Sequence, residues 1–375
     1  MTTTATANPQ ARIHAPVRTR QICFFAAFML PMTKLLEAPS NLSKEALGDL
    51  LLPTALHLLI QAAILFGILC LLSKSKGGLF PFLESKLGKT GLKIFKLFLA
   101  VYFLFATLQP LLDLEKFVHV AFYDTEPNTF SLTPFFFLSG YISVKSLRSF
   151  GRIADLCAPI FLIAFSGLIL MSLGATDLQS VLPWFEFPLS KILTATTRTT
   201  VYFSDAILFL PLLGEFDYKR GDSLKITSSY AVGGLFTLLF LAVFYGIYQS
   251  LAPIEHYAFT KTAQYFPALQ TLGRIDLILV YALTAVLLFT YSLPIAYTCR
   301  FITDGVGGKP VLISFIVNAG LLIFTFFGNW HYNLFYTLIT QKLWWIFPAV
   351  IHAFLLLCLL LKFIPNRKKE HSYER

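Results

Sequence analysis

The chain places ionisable side chains inside two long apolar runs that also contain polar or helix-breaking residues. In the first run, Pro31 is followed by Lys34 and Glu37, which are three residues apart and share one face of a helix. In the second run, Arg198 and Asp205 are seven residues apart, so they share a face if the helix is continuous. Charged groups within apolar segments usually face a partner or a cavity. Both runs are therefore candidate ligand-binding segments.

Interrupted helices can hold a ligand in a membrane because their exposed ends direct partial charges at it. The sequence predicts that the two interruptions flank one pocket, where helix ends and Thr hydroxyls hold a carboxylate or an amine. Arg198 would pair a carboxylate and Asp205 an ammonium group, while Tyr202 and Phe203 would contact the ligand side chain. The candidate ligand-binding residues are Pro31, Met32, Thr33, Lys34, Arg198, Thr199, Tyr202, Phe203, Ser204 and Asp205.

Each interruption also has a structural interpretation. The first fits a kinked helix with a Lys34–Glu37 pair near the outer interface. In the second, Arg198 could reach outward to the interface, Asp205 could cap a half-helix, and Thr side chains could bond back to the backbone. These interpretations remain open at the level of sequence.

Two other apolar runs contain weaker candidates. His57 and Gln61 share a helix face at i, i+4, which is typical of hydrogen bonds between membrane helices. A polar cluster toward the outer end of span three contains two pairs with helix spacing, Asp113–Lys116 and Glu115–His119, together with Gln109. That second group fits either an outer vestibule or a solvated helix end.

Composition assigns the chain to the lipid bilayer. Of its 375 residues, 56% are hydrophobic and 13% charged, whereas a soluble domain carries roughly a quarter charged residues. The sequence predicts an all-α polytopic membrane protein with one transmembrane domain at 18–365, a disordered cytoplasmic segment at 1–17 and a cytoplasmic tail at 366–375. Ten runs approach the length of about 20 residues that a spanning helix needs: 21–42, 49–73, 93–121, 130–148, 153–173, 190–214, 226–249, 273–300, 310–328 and 342–364.

Basic residues predict the orientation of the spans. Most of the 30 Lys and Arg residues fall in alternate loops, which places both termini in the cytoplasm. The net charge of +10 therefore reflects membrane topology rather than a nucleic-acid surface. As an alternative for span one, the Arg-containing segment 12–20 and the short apolar run 22–32 fit a cleaved signal peptide, which would leave nine spans. The polar residues after Pro31 suit a retained, broken helix better.

The sequence indicates no enzyme, metal site or cofactor. It lacks the phosphate-binding G-x-x-x-x-G-K-[ST], the zinc-binding H-E-x-x-H and the nucleophile motif G-x-S-x-G. Its seven histidines are scattered, and its five cysteines lie in or beside apolar runs without C-x-x-C spacing.

The two interruptions divide the ten spans into two sets of five, at about 21–173 and 190–364. This arrangement resembles the inverted 5+5 repeat of amino acid–polyamine–organocation permeases, whose leucine-transporter-like fold has discontinuous spans one and six. More specifically, the chain resembles the spore germination permeases, the B subunits of endospore nutrient germinant receptors. The resemblance rests on Arg20-Gln21, Gly151-Arg152-Ile153-Ala154-Asp155 with Pro159, Asp177-Leu178 with Leu182-Pro183, Phe203-Ser204-Asp205-Ala206-Ile207-Leu208-Phe209, and Tyr265-Phe266-Pro267 with Leu272-Gly273-Arg274-Ile275-Asp276.

The resemblance implies a subunit in the spore inner membrane that binds a small nutrient, often an amino acid, and works with an A subunit and a lipoprotein C subunit to trigger germination. The alternative within the same superfamily is an amino-acid/cation secondary transporter. The chain departs from the family in two places. Span one is unusually polar, and Asp205 follows Ser204 where the family usually has Glu preceded by Gly.

Overall fold

The computed structural model describes residues 17–73, 78–122, 131–181, 185–216, 218–264, 276–328 and 346–361. Across these ranges the chain is helical, and its β-type pairing is an isolated bridge between Val17 and Phe216. Apart from Val17, the predicted N-terminal segment 1–17 lies outside the described residues, as does the predicted tail 366–375. The all-α class predicted from composition is confirmed for the described part of the chain.

Each of the ten ranges predicted as spans overlaps with helices of the structure. They are α1 (Thr19–Phe24), α2 (Leu30–Met32), α3 (Ala38–Ala46), α4 (Leu51–Leu72), α5 (Leu79–Phe122), α6 (Thr133–Ser143), α7 (Leu147–Ser172), α8 (Leu189–Arg198), α9 (Asp205–Gly214), α10 (Asp222–Tyr248), α11 (Ala258–Ala263), α12 (Asp276–Val306), α13 (Pro310–Gly328) and α14 (Ile346–Leu361).

Six helical segments of the described chain are long and apolar enough to cross a membrane, and this makes the protein a multi-pass membrane protein. The shorter apolar helices are Thr200–Gly214 and Ile346–Leu357. The count of ten spans and the inverted repeat stay predictions. The six segments are Ala38–Leu72, Leu79–Phe122, Leu147–Ala175, Asp222–Leu251, Asp276–Val306 and Pro310–Phe327.

Helix α5 is longer than the span predicted at 93–121. The helix begins at Leu79 and continues to Phe122, with non-helical backbone at Gly88, where φ is 73°. A positive φ is accessible to Gly because it has no Cβ. At about 1.5 Å per residue, the whole helix is roughly twice as long as the hydrocarbon core is thick. Gly88 therefore separates a short first segment from the long spanning segment.

Span one is interrupted and lies in the core. Its α1 continues into a π-helical turn (Phe25–Met29) and the short α2, and α3 begins only after a bend at 33–37. The π-helical turn packs between α7 and α10, and Ile22, Ala26 and Leu30 are at most 2% exposed. A cleaved signal peptide would remove this buried helix from the core, so its burial favours the retained span.

Gly233 of α10 allows that close packing. A Cβ placed there would lie 2.4 Å from the carbonyl oxygen of Ala26 and 3.2 Å from the ring of Pro31. Because one neighbour is backbone, it cannot move aside as a flexible side chain would. The small residue therefore permits span one and α10 to approach, as small residues commonly do between membrane helices.

We predict that Gly233→Ala destabilises the protein by about 1–3 kcal/mol, the usual cost of overpacking a core. Gly67→Ala is the matched control, because a Cβ at Gly67 of α4 meets nothing within 4 Å. The measurement is the midpoint of thermal unfolding of the purified protein in detergent. Equal midpoints for the two variants would contradict the close approach at Gly233.

Candidate functional site

The backbone interruption in span one is held by another helix. At the bend, the carbonyl oxygens of Leu35 and Leu36 accept hydrogen bonds from the backbone N–H groups of Phe259 (3.0 Å) and Ala258 (2.9 Å) at the start of α11. Irregular backbone within a membrane is tolerated only where its polar groups find partners. The short helix α11 supplies two of those partners.

The interruption in span six lies between α8 and α9 and is held by α4. After α8 the chain forms a single 3₁₀ turn over Thr200–Tyr202, and α9 begins at Asp205. Gln61 accepts a hydrogen bond from the N–H of Ala206 at 2.9 Å, and His57 Nε2 lies 3.2 Å from the hydroxyl of Thr199. The predicted interhelical hydrogen bonds of His57 and Gln61 are therefore confirmed, and they position the interruption.

A buried ion pair joins the two interruptions. Lys34 Nζ lies 2.7 Å from Asp205 Oδ1, and the two side chains are 2% and 3% exposed. The other carboxylate oxygen of Asp205 accepts a hydrogen bond from the Tyr230 hydroxyl at 2.7 Å, and Lys34 also donates to Thr33 Oγ1 at 3.2 Å. Because a buried charge is costly unless it is paired and hydrogen-bonded, these contacts hold the two interrupted helices together.

The structure does not form the Lys34–Glu37 pair or the shared Arg198–Asp205 face that the sequence suggested. Arg198 ends α8, and its 60% exposed side chain bonds to Glu45 of α3 at 3.0 Å. Asp205 begins the next helix, so the two residues do not share a continuous helical face. Glu37 lies 3.1 Å from His256 Nδ1 rather than pairing with Lys34. In both cases the chain bends between residues that a straight helix would have aligned.

A cavity lies beside the ion pair. The cavity has a volume of about 120 Å³, and it is lined by residues of predicted spans one, three, six and eight. Most of the lining is apolar, and the polar lining residues are Thr33, Glu37, Tyr102, Thr107, Gln109, Asp113, Tyr202, Ser204, Asp205, Thr290 and Tyr291. The two interruptions therefore flank one cavity.

The ten predicted site residues divide into those that line the cavity and those that lie around it. Lys34 is buried against Asp205, Phe203 stacks on the ring of His57 at 4.7 Å, and Thr199 bonds back to the carbonyl of Ala195. Arg198 faces outward. Four predicted residues line the cavity, namely Thr33, Tyr202, Ser204 and Asp205, and the two that lie in the short buried helix α2 are Pro31 and Met32.

Several lining residues were not predicted as site residues. The sequence singled out Glu37 only for its helix-pair spacing with Lys34. It singled out Asp113 only as part of a polar cluster, and that cluster was the one sequence feature that pointed to Asp113. Tyr102 and Tyr291 carry no sequence signal, because an aromatic residue in an apolar run is ordinary. Tyr230, which donates a hydrogen bond to Asp205, likewise carries no sequence signal.

The charges at the cavity are of one sign. Among the described lining residues, Glu37, Asp113 and Asp205 are acidic, and none is Lys, Arg or His. Hydroxyl groups of Tyr, Thr and Ser complete the polar lining. Such walls can accept hydrogen bonds from an ammonium group, which is a charge-assisted interaction. The described residues contain no group of three metal-ligating side chains suited to hold a metal ion.

Two of the motifs noted in the sequence contact each other. Arg20 Nη2 lies 3.1 Å from Asp155 Oδ2, and the amide of Gln21 donates to the same oxygen at 3.4 Å. A Cβ on Gly151 would lie 2.5 Å from the Gln21 side chain. The Arg-Gln pair and the Gly-Arg-Ile-Ala-Asp stretch therefore form one packing unit between α1 and α7.

We predict that Lys34→Met and Asp205→Asn each destabilise the protein by about 3–5 kcal/mol, the usual cost of breaking a buried ion pair. The double variant, which removes both charges, should be more stable than either single variant. The measurement is thermal unfolding in detergent, with Lys44→Met at an exposed position of α3 as the control. Single variants as stable as the wild type would show that the pair does not join the two interruptions.

A second prediction concerns His256, in the connection between α10 and α11. Its hydrogen bond to Glu37 raises the pKa of His256 from the usual value of about 6.5, and burial opposes this effect. The charge of Asp113 raises the pKa further, whereas the charge of Lys44 lowers it. Because the folded-state pKa is the higher one, the pair contributes its full stability below about pH 6.5. That contribution is lost as the pH rises through the raised pKa.

The unfolding midpoint of the wild type should therefore fall as the pH is raised from about 6 to about 8.5. His256→Gln should lack this component of the pH dependence, while the other histidines titrate in both proteins. Identical pH profiles for the two proteins would rule out a stabilising His256–Glu37 pair.

A sequence model for the family described as spore germination protein matches residues 54–332, which is more than half of the chain. The matched region extends from α4 past α13 and includes Asp205 and the span-six interruption, while Lys34 lies before it. No curated protein matches the sequence. The helical fold, the paired interruptions and this match agree with the motifs, and the chain therefore belongs to the spore germination protein family.

Proposed function

We propose that this protein is the membrane subunit of a spore nutrient-germinant receptor, which binds a small nutrient such as an amino acid and helps to trigger germination. The observation that carries the proposal is the cavity flanked by the two interrupted spans. Ligand sites of this kind are concave and mostly apolar, with a few polar groups that orient the ligand. Membership of the spore germination family supports a role in germination.

The ligand would be held chiefly through its ammonium group. The cavity walls contain the carboxylates of Glu37, Asp113 and Asp205. Arg198, the predicted partner of a ligand carboxylate, bonds to Glu45 outside the cavity. A ligand carboxylate would instead accept a hydrogen bond from a lining hydroxyl such as that of Tyr291, because the hydroxyl protons of Thr33 and Ser204 go to the backbone carbonyls of Leu30 and Thr200. The proposal assigns no cofactor.

We further propose the finer architecture that the sequence predicts: ten spans in an inverted 5+5 repeat of the leucine-transporter-like kind, with both termini in the cytoplasm and the protein in the spore inner membrane. The supporting observation is that the interruptions of predicted spans one and six face each other across Lys34 and Asp205. Ligand sites of such folds lie where discontinuous helices meet.

The receptor would work with an A subunit and a lipoprotein C subunit. A bound nutrient changes the equilibrium of a helix bundle only if it binds one arrangement more tightly than the other. A ligand that contacts Asp205 would act directly beside the bond that joins the two interrupted spans. That position suits a subunit that passes a binding signal to its partners.

An amino-acid/cation secondary transporter is the second candidate. The observation that favours it is the same pair of interrupted helices, which transporters use for substrate and ion sites. Uptake of radiolabelled amino acids into vesicles separates the two functions. Robust uptake by this protein alone would favour the transporter over a subunit that only senses its ligand.

We predict that ligands require a free ammonium group. The test is a panel of amino acids, the corresponding amines and the N-acetylated amino acids, scored by the increase in the unfolding temperature of the purified protein. Amino acids that bind should lose this effect when acetylated. Asp113→Asn should weaken binding at least tenfold, or about 1.4 kcal/mol, because the carboxylate at the cavity wall is lost.

Arg198→Gln is the control, because Arg198 is a charged residue of the interrupted span six that does not line the cavity. It should leave binding unchanged. If N-acetylated compounds bind as well as the parent amino acids, or if Arg198→Gln alone abolishes binding, the assignment of the ammonium group to the cavity carboxylates is wrong.

A further inference from the structure

A second concave surface lies on the outside of the helix bundle, between α6 and α13. It is a groove of about 660 Å³ whose walls include Phe137, Tyr141 and Phe315. These three side chains are 76%, 64% and 71% exposed. Outward apolar residues are expected on any membrane helix, so their exposure alone identifies no ligand. The shape and the charge at one end of the groove are the informative features.

A hydrogen bond joins the two helices inside the groove. Ser314 Oγ of α13 donates to the carbonyl of Gly140 in α6 at 2.9 Å. Within α13, the Asn318 amide donates to the carbonyl of Ser314 at 2.8 Å. Thr133 and Val144, at the two ends of α6, both line the groove, and so do Val311 and Leu322 of α13. The groove therefore runs along both helices.

A basic pocket of about 350 Å³ continues from the Val144 end of the groove. Tyr141 and Lys145 line both spaces, and Ser149 and Arg152 line the pocket alone. Lys145 Nζ stands 4.2 Å from the centre of the Tyr141 ring, and Arg152 Nη2 lies 3.4 Å from Ser149 Oγ. None of the described residues that line either space is acidic.

We propose that this composite surface binds an anionic phospholipid, with one acyl chain in the groove and the phosphate between Lys145 and Arg152. The proposal is independent of the proposed function. From Thr133 to Val144 a helix rises about 16 Å, which is close to half of a hydrocarbon core of about 30 Å. The groove is therefore about as long as one leaflet is thick, which is enough for one acyl chain, and its basic residues lie at one end.

Charge complementarity favours a lipid over the other occupant of such a groove, a transmembrane helix of another protein chain. Basic pockets between membrane helices on the cytoplasmic side bind anionic headgroups, and the basic residues predict that side for Lys145. One feature favours a helix as the occupant. The side-chain oxygen Oδ1 of Asn318 is buried and has no hydrogen-bond partner among the described residues, so a polar residue of another helix could donate to it. That single acceptor does not account for the basic pocket.

The test uses the full-length protein, purified in detergent and analysed by native mass spectrometry with added phosphatidylglycerol or phosphatidylcholine. The wild type should retain phosphatidylglycerol at least tenfold more tightly. Lys145→Ala/Arg152→Ala should abolish this preference, because the phosphate loses both basic partners. The control is Lys219→Ala/Arg220→Ala, which removes an exposed basic pair away from the groove and should retain the preference.

A groove-filling variant tests the acyl-chain part. Gly140→Phe, checked for an unchanged unfolding temperature, should also weaken phosphatidylglycerol binding at least tenfold, and free glycerol phosphate should not compete with the lipid. Equal retention of both lipids, or a preference that survives Lys145→Ala/Arg152→Ala, would overturn the proposal. A wild type that takes up no lipid but forms dimers lost in Gly140→Phe would assign the groove to a helix and overturn it as well.

Discussion

The ion pair between Lys34 and Asp205 is the constraint around which the centre of this protein is arranged. Each residue belongs to an interrupted helix, and each charge is almost fully buried. Both charges are almost fully removed from bulk solvent, so each stabilises the fold only while the other stays within hydrogen-bond distance. The positions of spans one and six are therefore linked at the point where both lack regular helical structure.

The interruptions persist because neighbouring helices satisfy their backbone groups. The N–H groups at the start of α11 bond the free carbonyls of span one, and Gln61 of α4 accepts from the N–H of Ala206. In a low-dielectric interior these bonds are costly to leave unmade. Bent backbone and paired charges thus support one another, and the space left between the bends becomes the cavity.

The arrangement determines what the cavity can recognise. Lys34 is engaged by Asp205 and Arg198 by Glu45, so the wall presents carboxylates and hydroxyls. Helix α12 contributes Thr290 and Tyr291 to that wall and also packs against α6, which forms one side of the outer groove. A single helix therefore lines the central cavity and packs against one of the two helices that form the outer groove.

The sequence by itself determined the membrane class, the positions of the helices and the two interruptions, because length, apolar composition and Pro or charged residues act locally. It also singled out Lys34, Asp205, His57 and Gln61 as buried polar groups that need partners. It did not determine which partners they take. Spacing along a straight helix pointed to Lys34–Glu37 and Arg198–Asp205, and the bends removed both alignments.

Only the tertiary structure decided that Lys34 pairs with Asp205, 171 residues away, and that the Tyr230 hydroxyl donates a hydrogen bond to the other oxygen of that carboxylate. It also brought Tyr102, Asp113 and Tyr291 to the cavity, although their local sequence looks like ordinary apolar span or helix end. The physical reason is that a pattern of residues specifies the face and the depth of a side chain within its own helix. Which other helix lies opposite depends on how the whole bundle packs.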